Sequence, residues 1–266
     1  MITARALTDE TIERLAVRVD VAALERQPIE MLTTDYPAMK LGDAYAVQQV
    51  LRGRMEARGQ RVTGLKMGLT SRAKMLQMGV SESLHGFITD TNVFGEGAEI
   101  PTERFIHPRI EAEIAVVMKH ALAGPHCDVA KAAAAVDFVL PAIEIIDSRY
   151  ADFKFDILSV IADNTSAAGY VVGGRSRQLH ELDLLTEGVV LSRNGRVVEV
   201  GAGAAVLGNP IEALAMLANQ RAALGAEIPA GALVLTGGIT AAVAVSAGDD
   251  VFVQYQNLGT VRMRFV

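Results

Sequence analysis

Ile106-His107-Pro108-Arg109-Ile110-Glu111-Ala112-Glu113-Ile114-Ala115-Val116-Val117-Met118, with its downstream counterpart Leu140-Pro141-Ala142-Ile143-Glu144-Ile145-Ile146-Asp147, decides how the rest of the chain is read. Both stretches predict strands. Side chains alternate across a strand, so Glu111 and Glu113 share a face with Ala115 and Val117, while Ile110, Ala112, Ile114 and Val116 form the other. In the second stretch Glu144 shares a face with Leu140, Ala142 and Ile146. Three carboxylates thus interrupt apolar stripes. An ionised carboxylate buried without a partner costs several kcal/mol, so each must be protonated, paired with a base or bound to a metal. A lone Glu-Ala-Glu would be an ordinary solvated edge; the apolar flanks and the third glutamate favour a metal. An all-oxygen set suits a hard cation such as Mg²⁺ or Mn²⁺ and leaves coordination positions open for water or substrate.

Working outward, 266 residues, half of them hydrophobic, can bury a substantial core. A net charge of -6 and the absence of a Lys/Arg cluster argue against nucleic acid as a partner. The single cysteine, Cys127, excludes an internal disulfide and a cysteine-based zinc site, and no histidine pair has zinc-ligand spacing. Acids at Asp9, Glu10 and Glu13 and the lack of any long uncharged apolar run give the expectation of a soluble, cytoplasmic protein with no membrane partner.

Thr8 predicts the cap of a first helix, with Ile12, Leu15, Ala16 and Val19 on its apolar face. A second helix follows around Ala44, Val47, Leu51 and Met55 and stops near Gly59. Residues 1–60 therefore read as a helical amino-terminal cap, and residues 61–266 as the body that carries the three glutamates. A short strand at residues 61–66 leads to a helix after Thr70-Ser71. Asp128 predicts the cap of an alanine-rich segment at residues 129–139. Asn194-Gly195 marks a type I′ hairpin, Asn209-Pro210 opens a helix that stops at Gly225, and Val251, Val253 and Tyr255 alternate against Val261, Met263 and Phe265 across a second hairpin. Gly201-Ala202-Gly203 imitates a dinucleotide loop but follows a hairpin strand and reads as a turn. The pattern is α+β, strand-rich, with a helical cap.

Other residues carry two readings each. Lys66 ends a short apolar strand before Gly68, whose missing side chain would permit close approach; taken alone it could equally be a surface lysine. Ser166 and Thr236 read alone as loop residues. Arg149 could hold a carboxylate, but pairing with an acid such as Asp147 ranks higher. Of the histidines, His85 and His107 lie nearest these motifs.

The runs at residues 64–90, 107–114, 141–150 and 155–166 resemble the fumarylacetoacetate hydrolase superfamily over nearly the whole chain. Within it the match is to the hydratase and decarboxylase branch of aromatic meta-cleavage pathways, through Gly64-Leu65-Lys66-Met67-Gly68-Leu69-Thr70-Ser71, Ile146-Asp147-Ser148-Arg149-Tyr150 and Ala162-Asp163-Asn164. The resemblance implies a mixed sheet body with a barrel-like core, a divalent metal on Glu111, Glu113 and Glu144, Lys66 as the catalytic residue, and Leu84, Ser166 and Thr236 at the substrate. It further implies decarboxylation of a 2-oxo dicarboxylate, 2-oxo-3-hexenedioate, to 2-hydroxypenta-2,4-dienoate with Mg²⁺ or Mn²⁺ as cofactor. A homo-oligomer and a complex with a 2-hydroxypentadienoate hydratase follow as expected partners.

Three alternatives stay open. A hydratase would use the same metal site, but in hydratases the position of Leu84 tends to be an Asp that serves proton transfer, and His85 stands where an aromatic is usual. A C–C hydrolase would want a positioned His-acid pair to activate water, and none is evident. A catalytically silent partner subunit of a hydratase complex is disfavoured by intact Lys66 and the three glutamates.

Overall fold

The computed structural model describes residues 4–77 and 82–266. The helices are α1 Asp9–Glu25, α2 Leu32–Asp35, α3 Leu41–Ala57, α4 Arg72–Gln77, α5 Val129–Ala134, α6 Ile157–Ala162 and α7 Pro210–Ala223. The strands are β1 Val62–Gly68, β2 Leu84–Thr89, β3 Val93–Phe94, β4 Glu99–Ile100, β5 Arg109–Met118, β6 Val136–Ile146, β7 Ala167–Val172, β8 Gly188–Arg193, β9 Arg196–Ala202, β10 Leu233–Leu235, β11 Val243–Ala244, β12 Asp250–Tyr255 and β13 Gly259–Phe265. They form two sheets, ordered β2-β1-β10-β5-β6-β7-β3 with β11 added to β5, and β4-β13-β12-β8-β9.

The long β5–β6 pair is the axis of the larger sheet. It runs antiparallel in register from Arg109 opposite Ile146 to Val116 opposite Val139, with Glu111 directly opposite Glu144. One face of β5, Ile110, Ala112, Ile114 and Val116, packs into the main core together with Val251, Val253, Val261, Met263 and Phe265 of the smaller sheet. Apolar burial at about 25 cal/mol per Å² is what joins the two sheets. Tyr255 reaches across this interface, where its hydroxyl donates to the Ala142 carbonyl at 2.6 Å and accepts from the Glu113 N–H at 3.1 Å. The other face of the larger sheet curls on itself around small residues. Ala115, Ala142 and Leu235 pack there with Ile88 and Tyr170, which leaves room for the acidic side chains on the same face.

The helices follow their local signals. Thr8 accepts from the Thr11 N–H and caps α1, Asp128 caps α5, and Asn209 caps α7 with Pro210 in its first turn. Asn194 and Gly195 both have positive φ, 54° and 73°, as a type I′ turn requires. Gly203 lies in a short turn after β9. Two expectations need correction. The alanine-rich segment does not continue to residue 139: α5 ends at Ala134 and β6 begins at Val136, because β-branched and aromatic residues pair there with the far end of β5. The break between the first two long helices also contains the short helix α2.

The first sixty residues pack through Ile12, Leu15, Val19, Tyr45, Val47 and Leu51 onto Leu84, Tyr150, Val160 and Ile161. The helical unit therefore shares a core with β2, α6 and Tyr150, which border the site.

Candidate metal centre and substrate cavity

The strand register assembles the acidic cluster. Glu111 and Glu113 project from the same face of β5, and Glu144 stands across from Glu111 on β6. Each of the three offers an oxygen within 4.8 Å of the others. Glu113 and Glu144 are fully buried, and Glu111 is half-buried at the cavity edge. Glu113 Oε2 accepts from the Gly237 N–H at 2.8 Å, whereas Glu113 Oε1 and Glu144 Oε2 are buried with no hydrogen-bond partner among the described residues. Two orphaned oxygens converging with a third carboxylate fit a hard divalent cation.

Lys66 enters from β1. Its Nζ lies 2.9 Å from Glu144 Oε1 and donates to the Thr165 carbonyl at 3.0 Å. In the flat order of the sheet β10 and β5 separate β1 from β6, so this contact shows how strongly the sheet rolls. Burial alone would lower the lysine pKa, but the surrounding Glu144, Glu113 and Glu111 outweigh it and hold it above its ordinary value. Glu113 is pushed well above the usual carboxylate range, first by burial and then by Glu144. Glu144 is raised by burial, with Lys66 opposing. Without a cation, part of this cluster prefers to hold a proton; a bound cation would reverse that preference.

A cavity of about 310 Å³ opens over the cluster. Lys66, Glu111, Leu84 and Ser166 line it, together with Thr70, Ser71, Thr165 and Arg109, and Phe153, Phe155, Ile157 and Val160 give it an apolar side. Leu84 is buried in the wall next to Val160 of α6. Thr236 is not brought to the cavity: its hydroxyl donates to the Ile114 carbonyl at 2.9 Å, and Gly238, two residues on, reaches the lining instead. A Cβ at Gly238 would lie 2.9 Å from the Glu111 carboxyl carbon, so a side chain there would push that carboxylate aside. A Cβ at Gly68 would strike the Thr165 methyl, so this glycine admits the Thr165 turn rather than a ligand directly.

That turn is unusual. Asn164, Thr165 and Ser166 all have φ between 51° and 55°, the left-handed region that non-glycine residues seldom occupy. Asn164 holds it by bonding both the N–H and the carbonyl of Phe87 at 2.9 Å. Arg149 brackets it through a buried ion pair with Asp163 just before the turn and a 3.2 Å bond to the Ala167 carbonyl just after it. The acid that pairs with Arg149 is therefore Asp163 and not Asp147, whose carboxylate accepts instead from the N–H groups of Ile106 and His107. Of the two histidines, His85 stacks on Tyr45 and contacts Gln220 at 3.2 Å, and burial lowers its pKa to about 4. It is a neutral core residue. His107 packs against Phe153.

Alternation could have pointed to Arg109, which shares the face of Glu111 and Glu113. The aromatic side of the cavity and the Asn164–Ser166 turn had no comparable signal.

The family model described as fumarylacetoacetate (FAA) hydrolase C-terminal matches residues 62–266, which include the rolled sheet and its carboxylate cluster, and the chain belongs to that family. It is 52% identical over 98% of its length, and 99% of the relative's, to a 4-oxalocrotonate decarboxylase of Pseudomonas putida. It is 38% identical to a 2-oxo-hept-4-ene-1,7-dioate hydratase of Escherichia coli, over 95% of this chain and 97% of that one. Among solved structures, 4-oxalocrotonate decarboxylase from Pseudomonas putida G7 complexed with magnesium and adipate superposes with a TM-score of 0.97 at 51% identity, covering 99% of this chain and all of that one.

Proposed function

We propose that this chain is a metal-dependent carboxy-lyase that converts 2-oxo-3-hexenedioate to 2-hydroxypenta-2,4-dienoate. The observation that carries the proposal is the pairing, in one cavity, of the three-glutamate cluster with an apolar residue, Leu84, where water addition would want an acid. The likeness to decarboxylases at 52% identity, against 38% for the hydratase, supports the same choice.

Glu111, Glu113 and Glu144 are the residues that would hold Mg²⁺ or Mn²⁺. A divalent cation there supplies Lewis-acid stabilisation for negative charge gathering on a 2-oxo oxygen. Lys66 adds a fixed positive charge beside Glu144 and orients the oxygen-rich end of the substrate. Ser166 lines the cavity with Lys66, and Thr236 serves the site indirectly: its hydroxyl is bound to the Ile114 carbonyl, and it precedes Gly237, whose N–H donates to Glu113. Leu84, Ile157 and Val160 give the cavity an apolar wall that keeps water out and offers no group to deliver or remove a proton for hydration.

We treat residues 1–60 as a cap that closes this apolar side and residues 61–266 as the catalytic domain. The outer face of the smaller sheet exposes Val190, Val197, Val200 and Phe252, a patch that suits self-association or a hydratase partner able to consume the product. No helix among the described residues is long and apolar enough to cross a membrane, and the proposed compartment is the cytoplasm.

Product analysis with Mg²⁺ tests the assignment. The protein should release carbon dioxide from 2-oxo-3-hexenedioate and fail to hydrate 2-hydroxypentadienoate. Efficient hydration without carbon dioxide release would replace the lyase reading by the hydratase one.

A further inference from the structure

We infer that Arg109 receives the substrate carboxylate remote from the three glutamates and thereby selects dicarboxylates over 2-oxo monocarboxylates, an inference that deepens the proposed function and rests on its dioate substrate. Arg109 lies on β5 two residues before Glu111 and on the same face, and it lines the same cavity. Its cross-strand partner Ile146 lines the cavity too, just as Glu144 stands opposite Glu111. A strand advances about 3.4 Å per residue, so Arg109 and Glu111 are spaced by roughly 7 Å, comparable with the end-to-end length of a six-carbon dioate.

The chemistry of Arg109 is that of an anion receptor. No carboxylate among the described residues lies within 4.0 Å of its guanidinium, in contrast to Arg54 and Arg58, which converge on Asp20, and Arg149, which pairs with Asp163. The guanidinium carbon lies 4.0 Å from the centre of the Phe153 ring. Stacking occupies one face of the planar group and leaves its in-plane N–H donors for a carboxylate, the bidentate geometry that lysine lacks. Asp152 and Phe153 are both held at positive φ, 56° and 58°, which presents the ring at this point. A half-buried cation in a cavity with an aromatic side binds an anion more strongly than one in water.

The same contact has a kinetic signature. Decarboxylation breaks the C5–C6 bond; its electron pair forms C4=C5, the C3=C4 pair moves to C2=C3, and the C2=O pair settles on the 2-oxo oxygen, which takes up a proton as neutral carbon dioxide departs. The charge facing Arg109 is present in the bound substrate and disappears as the bond breaks. Arg109 therefore contributes to substrate affinity and not to the rate of the bond-breaking step.

The test measures binding of the unreactive saturated acids 2-oxoadipate and 2-oxohexanoate to the Mg²⁺-loaded protein by titration calorimetry, for wild type, Arg109→Met and Arg109→Lys. Wild type should prefer 2-oxoadipate, Arg109→Met should lose roughly ten- to a hundredfold of affinity for it while 2-oxohexanoate binds as before, and Arg109→Lys should recover part of the loss. Unchanged 2-oxohexanoate binding certifies that the variant is folded. In turnover, Arg109→Met should raise KM for 2-oxo-3-hexenedioate without lowering kcat. Equal affinity of wild type for both acids, equal weakening of both in Arg109→Met, or a fall in kcat at unchanged KM would each overturn the inference. Because neither acid reacts, discrimination in a protein that releases no carbon dioxide would sink the decarboxylase reading and leave the selection by Arg109 standing.

Discussion

Lys66 is buried among acids, and its charge is stabilised by three carboxylates at once. A lysine in that position acts as a fixed electrostatic group, held by Glu144 on one side and the Thr165 carbonyl on the other. Lys66→Ala should therefore lower kcat/KM by roughly two orders of magnitude, the scale lost with one preorganised charge, while Mg²⁺ still binds. A rate near wild type would make Lys66 a counter-charge for Glu144 and nothing more. At this scale the sequence was informative where alternation applies. Glu111, Glu113 and Glu144 could be placed on apolar faces from their spacing alone. That Lys66 meets Glu144 depends on the curl of the sheet, which no local pattern encodes; the resemblance implied an active-site lysine but not this partner. Thr236 shows the opposite case, a residue next to the site in sequence whose hydroxyl is spent on the Ile114 carbonyl.

Among the elements, helix caps and hairpins were legible because their signals are local: Thr8, Asn209-Pro210 and Asn194-Gly195 each act within a few residues. The turn at Asn164–Ser166 was not. Left-handed backbone at three successive non-glycine residues is imposed by contacts from β2, far away in sequence, and from the buried Arg149–Asp163 pair. This gives a prediction at the level of the turn. Asn164→Ala removes both bonds to Phe87 and leaves a buried N–H and carbonyl without their side-chain partner, which should cost about 2–4 kcal/mol in urea unfolding. Activity should fall with it, because Thr165 would no longer be held beneath Lys66. A variant as stable as wild type would show that the turn is maintained by its neighbours alone.

For the whole molecule, α+β patterning and the helical amino terminus followed from periodicity, but the mutual placement of two sheets did not. The larger sheet rolls so that one face holds acids amid alanines while the other packs against the smaller sheet. Stability and function are coupled at that point: the fold buries Glu113 and Glu144 with oxygens that no hydrogen-bond donor among the described residues satisfies. A cation that binds the native cluster and not the unfolded chain must then stabilise the fold, by about 2.7 kcal/mol at a hundredfold excess over Kd. The most direct measurement is calorimetric titration of the metal-free protein with Mg²⁺ and Mn²⁺, followed by the thermal midpoint and the rate at saturation. The account predicts one ion per chain, a raised midpoint and restored turnover in wild type, and none of the three in Glu144→Ala, which should nonetheless fold. Full activity in rigorously metal-free wild-type protein, or undiminished metal binding by Glu144→Ala, would contradict it.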